Sequence, residues 1–391
     1  MRFSRYNDLW IKTTLNTVVE RITRRNTNNE SNLPLTISAQ YGLINQNEFF
    51  NKQIASRDLT NYILLNKGEF AYNKSYSADY PWGAVKRLDK YDKGVLSSLY
   101  ICFAPKSNVD SDFLVHYFET PKWYNEISNI AGEGARNHGL LNMAVSDYFN
   151  TKHSFPSIQE QHKISQFLNL INQRIDTQSK IIEDLELLEK EINNTIINKL
   201  VKYKDLVKFS SLYNFAKEGG TPNTSHPEYY TKGSIPFVKI DDLTTKYLVS
   251  NQSFITKLGL ENSSAWLIPA NSILYSNGAT IGAISINKYP VTTKQGILGI
   301  VPKSDYLSEY LYYFLRSNYF KKEICKITTQ GTMKSAYIKD IDNILVPRIN
   351  KKQQNEILTL LSEITLKIQK EKDMLELYKK QKTYLLKNMF I

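Results

Sequence analysis

QHKISQFLNLINQRIDTQSKIIEDLELLEKEINNTIINKL, residues 161–200, is the stretch whose reading decides the architecture. Taken in steps of three and four, Ile164, Leu168, Ile171, Ile175, Gln178, Ile182, Leu185, Glu189, Ile192 and Ile196 fall on one stripe, and eight of the ten are apolar. That is the pattern of a coiled-coil seam. No Pro or Gly interrupts it, and the opposite face carries Lys, Glu, Asp and Asn. The spacing predicts one helix of about 40 residues, roughly 60 Å long at ~1.5 Å per residue. A helix of that length needs a partner for its stripe.

The partner lies further down the chain. Ile357, Leu361, Ile364, Ile368, Glu371, Leu375, Tyr378, Lys382, Leu385 and Met389 repeat the pattern, polar at the same fifth and eighth steps. FPSIQEQHKI (155–164) introduces the first stripe and VPRINKKQQNEI (346–357) the second. The chain therefore reads as a duplication. Its polar steps are expected as exposed breaks in the seam, or else as residues that fix the register of the pair.

A length of 391 residues suits two to four domains, and 41% hydrophobic with 12% aromatic residues is ample for folded cores. The net charge of +12 divides as +3 over 1–156, −1 over 157–203, +6 over 204–350 and +4 over 351–391. A surplus concentrated in the second half is compatible with a polyanionic partner, and equally with a chain that simply uses Lys heavily. Cys102 and Cys325 are too few for a disulfide framework, which suits a reducing compartment. The first residues lack the apolar core of a signal peptide, and no run of eighteen apolar residues exists, so a cytoplasmic protein without a membrane partner is expected.

Outside the long helices the texture is α+β. The segment from Trp10 to Arg25 reads as a strand or short helix, and LSSLYICFAP as a strand; a helix is expected over Ser111–Ile130. In the second half, strands are expected at IPFVKI, NSILYS, TIGAISIN and QGILGIVP, and a helix from Leu307 to Ile327. APKSNVDSDFLVHYF (104–118) aligns with VPKSDYLSEYLYYFL (301–315), a strand ending in Pro-Lys-Ser followed by an aromatic helix. The turns within 65–88 and 268–286 share strand-turn-strand logic but not residues. A repeated scaffold with divergent loops suits a protein that reads two things with one architecture.

EGGTPNTSHPEYYTKGSIPFVKIDDL (218–243) is the most distinctive local signal. Gly219 and Gly220 permit close backbone approach, and the short polar residues after them could meet base edges or phosphates, or form an ordinary surface turn. Together with SNGATIG (276–282), QGTMKSAYIKDIDNILVPRI (330–349), GVLSSLYICFAPKS (94–107), GEGARNHGLLNMAVSDYF (132–149), PSIQEQHKISQFL (156–168) and the ending KKQKTYLLKNMF (379–390), it resembles the specificity subunit of type I restriction-modification enzymes. The resemblance covers nearly the whole chain.

It implies an α+β fold with two duplicated target recognition domains, each followed by a long helix, the helices packing as an antiparallel coiled coil. The boundaries expected are 1–156 and 204–348 for the recognition domains, 157–203 and 349–391 for the helices. Each domain would read half of a split target on double-stranded DNA, and the helices would set the unread gap. Two modification (methyltransferase) subunits and two restriction (ATPase/nuclease) subunits would be partners, using S-adenosylmethionine, ATP and Mg²⁺ that this chain itself would not bind. The sequence itself holds no Asn/Asp-Pro-Pro-aromatic motif, no Walker loop and no ligand spacing among its five His, so no catalytic or metal site is expected here.

Direct readout needs donors and acceptors on loops, while Lys and Arg on phosphates mainly position the protein. The candidates are Arg24, Arg25, Asn73, Lys74, Tyr76, Arg136, Asn137 and His138 in the first domain. In the second they are Thr221, Asn223, Ser225, Lys239, Asn277, Thr280, Lys294, Gln295, Lys334 and Ser335. Each alone also fits a solvated loop residue, and Trp82 and Trp266 fit core packing better than base stacking. The alternative function is a coiled-coil adaptor that docks proteins without reading bases.

Overall fold

A computed structural model describes residues 2–38, 41–52, 54–75, 80–131, 141–278, 280–328 and 335–391. The first long helix is Ile158–Tyr203 and the second Lys351–Met389, each beginning before the first apolar residue of its stripe. The extra residues are start signals rather than seam. Asn350 Oδ1 accepts from Gln353 N at 3.0 Å while Gln353 Oε1 accepts from Asn350 N at 3.1 Å, a reciprocal cap that satisfies two backbone donors at the helix start.

The chain divides into two compact units, the first holding residues up to Ser179 together with Asp373–Ile391, the second Lys180–Lys372. Each unit thus contains the start of one long helix and the end of the other, so the helices pair antiparallel. None of the twenty seam positions is exposed. In the first unit Ile164, Leu168, Ile171, Leu385 and Met389 are buried, with Ile175, Leu375 and Tyr378 half-buried. In the second, Ile182, Leu361 and Ile368 are buried, with Leu185, Ile192, Ile357 and Ile364 half-buried. Near the end of the first helix the buried position is Ile197, not Ile196, because a straight helix of 3.6 residues per turn drifts against a 3.5 repeat.

The polar steps differ from the expectation of exposed breaks. Gln178 is buried, and Glu189, Glu371 and Lys382 are half-buried and each held by a partner. Glu189 and Lys382 meet polar groups of the α+β parts, and Glu371 meets Lys367 one turn back on its own helix.

In the first unit a four-stranded antiparallel sheet runs in the order Val19–Arg21, Ile101–Pro105, Phe70–Asn73, Ala84–Arg87. Its aromatic face packs on the helical side: Phe70 and Phe103 stack at 5.4 Å, and Tyr72 and Tyr148 at 4.8 Å. Trp123, Phe113 and Leu114 continue this core to Leu168 of the first long helix and to Phe390, just past the end of the second. In the second unit the sheet has five strands, ordered Tyr213–Glu218, Ile297–Pro302, Ile273–Ser276, Ile284–Asn287, Tyr247–Leu248. The first four of these are antiparallel and the last is parallel to its neighbour. Ile273, Ile286, Ile300, Tyr310, Phe314 and Phe320 join its core to Ile197 and Leu361. All four strands expected from this half of the sequence are present, each in shortened form.

Both expected medium-length helices are broken, and at matched places. Ser111–Tyr117 is followed by Lys122–Ile130, and Ser308–Arg316 by Asn318–Ile327. Thr120 Oγ1 donates to Tyr117 O and Ser317 Oγ to Phe314 O, both at 2.7 Å, ending one helix. Pro121, whose ring cannot continue the ladder, and Ser317, which caps Phe320 N at 3.2 Å, start the next.

The duplication is also visible in one buried side chain per repeat. Gln161 Oε1 accepts from Asp110 N at 2.8 Å while its Nε2 donates to Pro156 O at 2.9 Å. Gln354 Oε1 accepts from Leu307 N at 2.8 Å while its Nε2 donates to Asp305 O and Ile349 O. Each glutamine ties the cap of its repeat's short aromatic helix to the start of the following long helix. Finally, each α+β part begins and ends on paired strands: Ile11–Thr14 lies against Lys152–Phe155, and Leu206–Lys208 against Leu345–Pro347.

Candidate nucleic-acid interface

In the second unit the strand Tyr213–Glu218 runs into two glycines whose backbones lie directly on neighbouring chain. Gly219 N donates to Ile297 O at 2.9 Å and Gly220 N to Thr293 O at 3.1 Å. A Cβ on Gly219 would collide with Thr293, and one on Gly220 with Ser264 and Ala265. This is the close approach that a Gly pair permits and other residues do not. It brings the turn at 293–296 against the glycine loop, where Thr221 Oγ1 accepts from Gln295 N at 3.3 Å and Glu218 Oε1 from Gly296 N at 2.7 Å.

Further segments join at the same place. Lys294 N donates to Val238 O at 2.9 Å, which sets Lys239 beside Lys294. Asn277 N and Gly278 N both donate to Gly296 O, at 3.0 and 3.3 Å. Ala336 N donates to Asn277 O at 3.0 Å and Asn277 Nδ2 to Ala336 O at 3.1 Å, which anchors Ser335. Five stretches that are remote in sequence therefore form one surface. On it Lys239, Lys294, Gln295 and Thr280 are exposed, and Thr221 and Ser335 half-buried. Asn223 and Ser225 are exposed at its margin, locked in an Asx turn by Asn223 Oδ1 accepting from Ser225 N at 3.0 Å. Two ammonium groups among short donors and acceptors is the chemistry that binding to phosphates and base edges requires.

One candidate moves out of the surface. Asn277 is only 4% exposed and its amide is spent on Ala336 O, so it braces the loops instead of presenting a group to solvent. The sequence marks it as a loop residue between a strand and glycines, which is true, but the loop turns inward there.

In the first unit Arg21, Arg25 and Lys74 line a single cavity of about 100 Å³, together with Thr23 and Tyr100. Arg25 donates to Asn61 O, and Lys74 O accepts from Leu141 N at 3.0 Å. Asn73, half-buried, accepts from Ser75 N at 3.0 Å. Arg24 points elsewhere: its Nη2 donates to Glu69 Oε2 at 2.6 Å and to Leu64 O at 3.2 Å. The reason is strand alternation, since successive side chains of an extended segment leave on opposite faces. Arg21, Thr23 and Arg25 line the cavity together with Ile22, whereas Arg24 turns to Glu69. Alternation applied to Arg21–Arg25 finds Arg21, which sequence reasoning missed, and sets Arg24 aside as a structural ion pair. Tyr76, Arg136, Asn137, His138 and Lys334 lie outside the described residues.

The four described histidines have local partners. His116 Nε2 lies 2.8 Å from Asn169 Oδ1, His153 Nδ1 2.8 Å from Tyr117 OH, His162 2.7 Å from Asp110 and His226 2.9 Å from Glu228. Burial holds the His153 imidazole neutral, its pKa lowered from 6.5 to about 4. Trp82 and Trp266 are half-buried against apolar residues, as packing residues would be. Among the described residues no group of three or more His, Cys, Asp or Glu gathers as a metal site, and no helix is long and apolar enough to cross a membrane.

Residues 197–377 match the family model described as the type I restriction modification DNA specificity domain. The chain is 32% identical over 209 residues to the type I restriction enzyme MjaIX specificity subunit of Methanocaldococcus jannaschii, an alignment covering 52% of this chain and 47% of that protein. It is 26% identical over 250 residues to the type I restriction enzyme EcoR124I/EcoR124II specificity subunit of Escherichia coli, covering 61% of each. The matches thus span about half to three fifths of these relatives' length. Among solved structures, one on complex assembly and conformational transition of the type I R-M system superimposes with a TM-score of 0.63 at 15% identity, covering 97% of both chains. The type I restriction-modification S subunit from M. genitalium gives 0.50 at 16% identity, over 100% of this chain and 97% of that one. At these identities the structural likeness concerns the fold.

Proposed function

We propose that this chain is a type I restriction-modification specificity subunit, the DNA-reading component of such a complex, and that it performs no chemistry itself; the match of residues 197–377 to the specificity-domain model and the similarity to the named specificity subunits support this reading. The surface gathered around Thr221, Lys239, Lys294, Gln295 and Ser335 reads one half of a split duplex target, and the face of the first domain bearing Arg21, Arg25 and Lys74 reads the other. In this reading the long helices that run between the two set the unread gap. The domain limits are 1–156 and 204–348 for reading, 157–203 and 349–391 for spacing.

Methylation of adenine with S-adenosylmethionine, and ATP- and Mg²⁺-driven translocation and cleavage, belong to two modification and two restriction subunits docked on this chain in the cytoplasm. Exposed apolar residues on the long helices support that docking. Leu170, Ile181 and Leu188 form a line on the first helix, and Leu366, Leu377 and Tyr384 one on the second. Lone exposed leucines need no explanation, but aligned ones on helices that already have a buried seam fit a protein partner.

The observation that carries the reading is the convergence of five sequence-remote loops, two of them bearing exposed lysines, on one surface of a duplicated scaffold. Long-read sequencing of methylated adenine in the host's DNA tests it. A split motif that vanishes when this chain is deleted is expected; an unchanged methylation pattern sinks the proposal and favours the adaptor.

A further inference from the structure

The two repeats are built alike, yet at two matched positions they carry opposite charge. Glu119 and Arg316 each stand fourteen residues beyond the Pro of their Pro-Lys-Ser segments, and Glu189 and Lys382 each occupy the eighth step of their stripe. In the first unit Lys382 Nζ lies 2.8 Å from Glu119 Oε2, and in the second Arg316 Nη1 lies 3.9 Å from Glu189 Oε2. Each α+β part therefore touches the long helix of the other repeat, with acid on base in one unit and base on acid in the other.

The surroundings reinforce each sign. His116 Nδ1 is 4.0 Å from Glu119. Burial would raise the Glu119 carboxyl, but His116 and the Lys382 and Lys86 ammonium groups outweigh it and hold the pKa at about 2. Glu189 accepts from Thr365 Oγ1 at 2.6 Å and from Tyr313 OH at 3.5 Å, so its charge is fixed in place. The apolar seam cannot tell the repeats apart, because both stripes are polar at the fifth and eighth steps and apolar or aromatic at the rest.

We propose that this reversal sorts the repeats, so that at this contact each α+β part accepts the long helix of the opposite repeat and rejects that of a like repeat from a second copy, which keeps two chains from pairing like half with like half. Pairing of like repeats would set Glu119 against Glu189 and Arg316 against Lys382, replacing both attractions by repulsion between partly desolvated like charges. The partner this surface fits is the other half of the same scaffold. The inference does not depend on DNA reading.

Full-length variants test it by light scattering and thermal melting. Glu189→Lys with Lys382→Glu gives each helix the other's charge and mismatches both units. The expected result is twice the wild-type mass, because pairing of like repeats then sets opposite charges together in both units. Adding Glu119→Arg and Arg316→Glu restores both signs and should return the wild-type mass, with Tm within about 2 °C. Unaltered mass in the first variant, even with a lower Tm, overturns sorting, and so does a fourfold variant that does not recover. If the first variant does not fold, Glu189→Gln with Lys382→Gln removes the discrimination without repulsion. Its dimer fraction should then rise severalfold over wild type on refolding at high concentration, and an unchanged fraction overturns the proposal.

Discussion

If the helix pair sets the unread gap, cutting one heptad from each helix must shorten it by a calculable amount. Deleting Ser179–Leu185 and Glu371–Leu377 is the cleanest choice. Both stripes stay in phase across the joints, and Glu189 and Lys382 are kept. After the cut Lys379 falls where Lys372 stood, so the ion pair of Lys372 with Glu186, 2.6 Å in the intact chain, is replaced in kind. Seven residues at ~1.5 Å shorten each helix by about 10 Å, which is roughly three base pairs at ~3.4 Å each. Seven residues also leave the helix about 20° short of whole turns, whereas three base pairs turn the duplex about 100° at ~10.5 per turn. The DNA must absorb the difference in twist. The expected outcome is therefore weaker binding at every gap length, with the best remaining gap shorter by about three base pairs. Competition binding of the assembled complex on duplexes whose gap varies one base pair at a time reads both. A best gap identical to that of the intact protein, in a variant whose helical circular dichroism is otherwise native, would refute the ruler.

Replacing Arg25 and Lys74 together by Ala should weaken binding to target and random duplexes alike. The slope of log affinity against log salt should flatten by about 0.9 for each phosphate left without its cation. Arg24→Ala should instead lower Tm and leave that slope alone, because its guanidinium serves Glu69; anisotropy titrations at several salt concentrations separate the two, and equal slopes for all variants would discard the assignment. Gln161→Ala strands the Asp110 N–H and the Pro156 carbonyl, a loss of about 1–3 kcal/mol. Gln354→Ala strands one more carbonyl and should cost more, with hydrogen exchange rising first at Asp110 and Leu307 respectively. His153 supplies a pH dependence of definite sign. Its folded pKa is below 6.5, so between about 6.5 and about 4 the unfolded chain binds more protons. The stability it protects is complete above 6.5 and is lost as pH falls through that window. His153→Gln should flatten this part of a Tm-against-pH curve, and an unaltered curve would show the histidine to be silent.

The seam was legible because a helix in a two-helix pair obeys a single local period, and every stripe position from Ile164 to Met389 is buried or half-buried. The breaks at Thr120 and Ser317 were not, since they depend on one hydroxyl reaching back to a carbonyl, which amphipathic spacing ignores. Of the proposed reading surface, residue types were legible and places were not. Lys239, Lys294 and Ser335 meet only through long-range pairing of strands and loops, which no local rule reports. Asn277 shows the limit most plainly, as glycine-rich surroundings look the same whether a loop faces outward or folds in. The different placements of Arg21, lining the cavity, and Arg24, on Glu69, were within reach of alternation along an extended segment.

The strand pairs Ile11–Thr14 with Lys152–Phe155 and Leu206–Lys208 with Leu345–Pro347 have a genetic reading as well as a structural one. Where a polypeptide enters and leaves a module on hydrogen-bonded neighbours, the two crossover points of a recombination event fall side by side in space. Everything between them can be replaced as a cassette while the path of the remaining chain stays where it was. Each α+β part is therefore placed for independent replacement, and if it reads DNA as proposed, a lineage could change half of the target in one exchange without redesigning the frame that holds it.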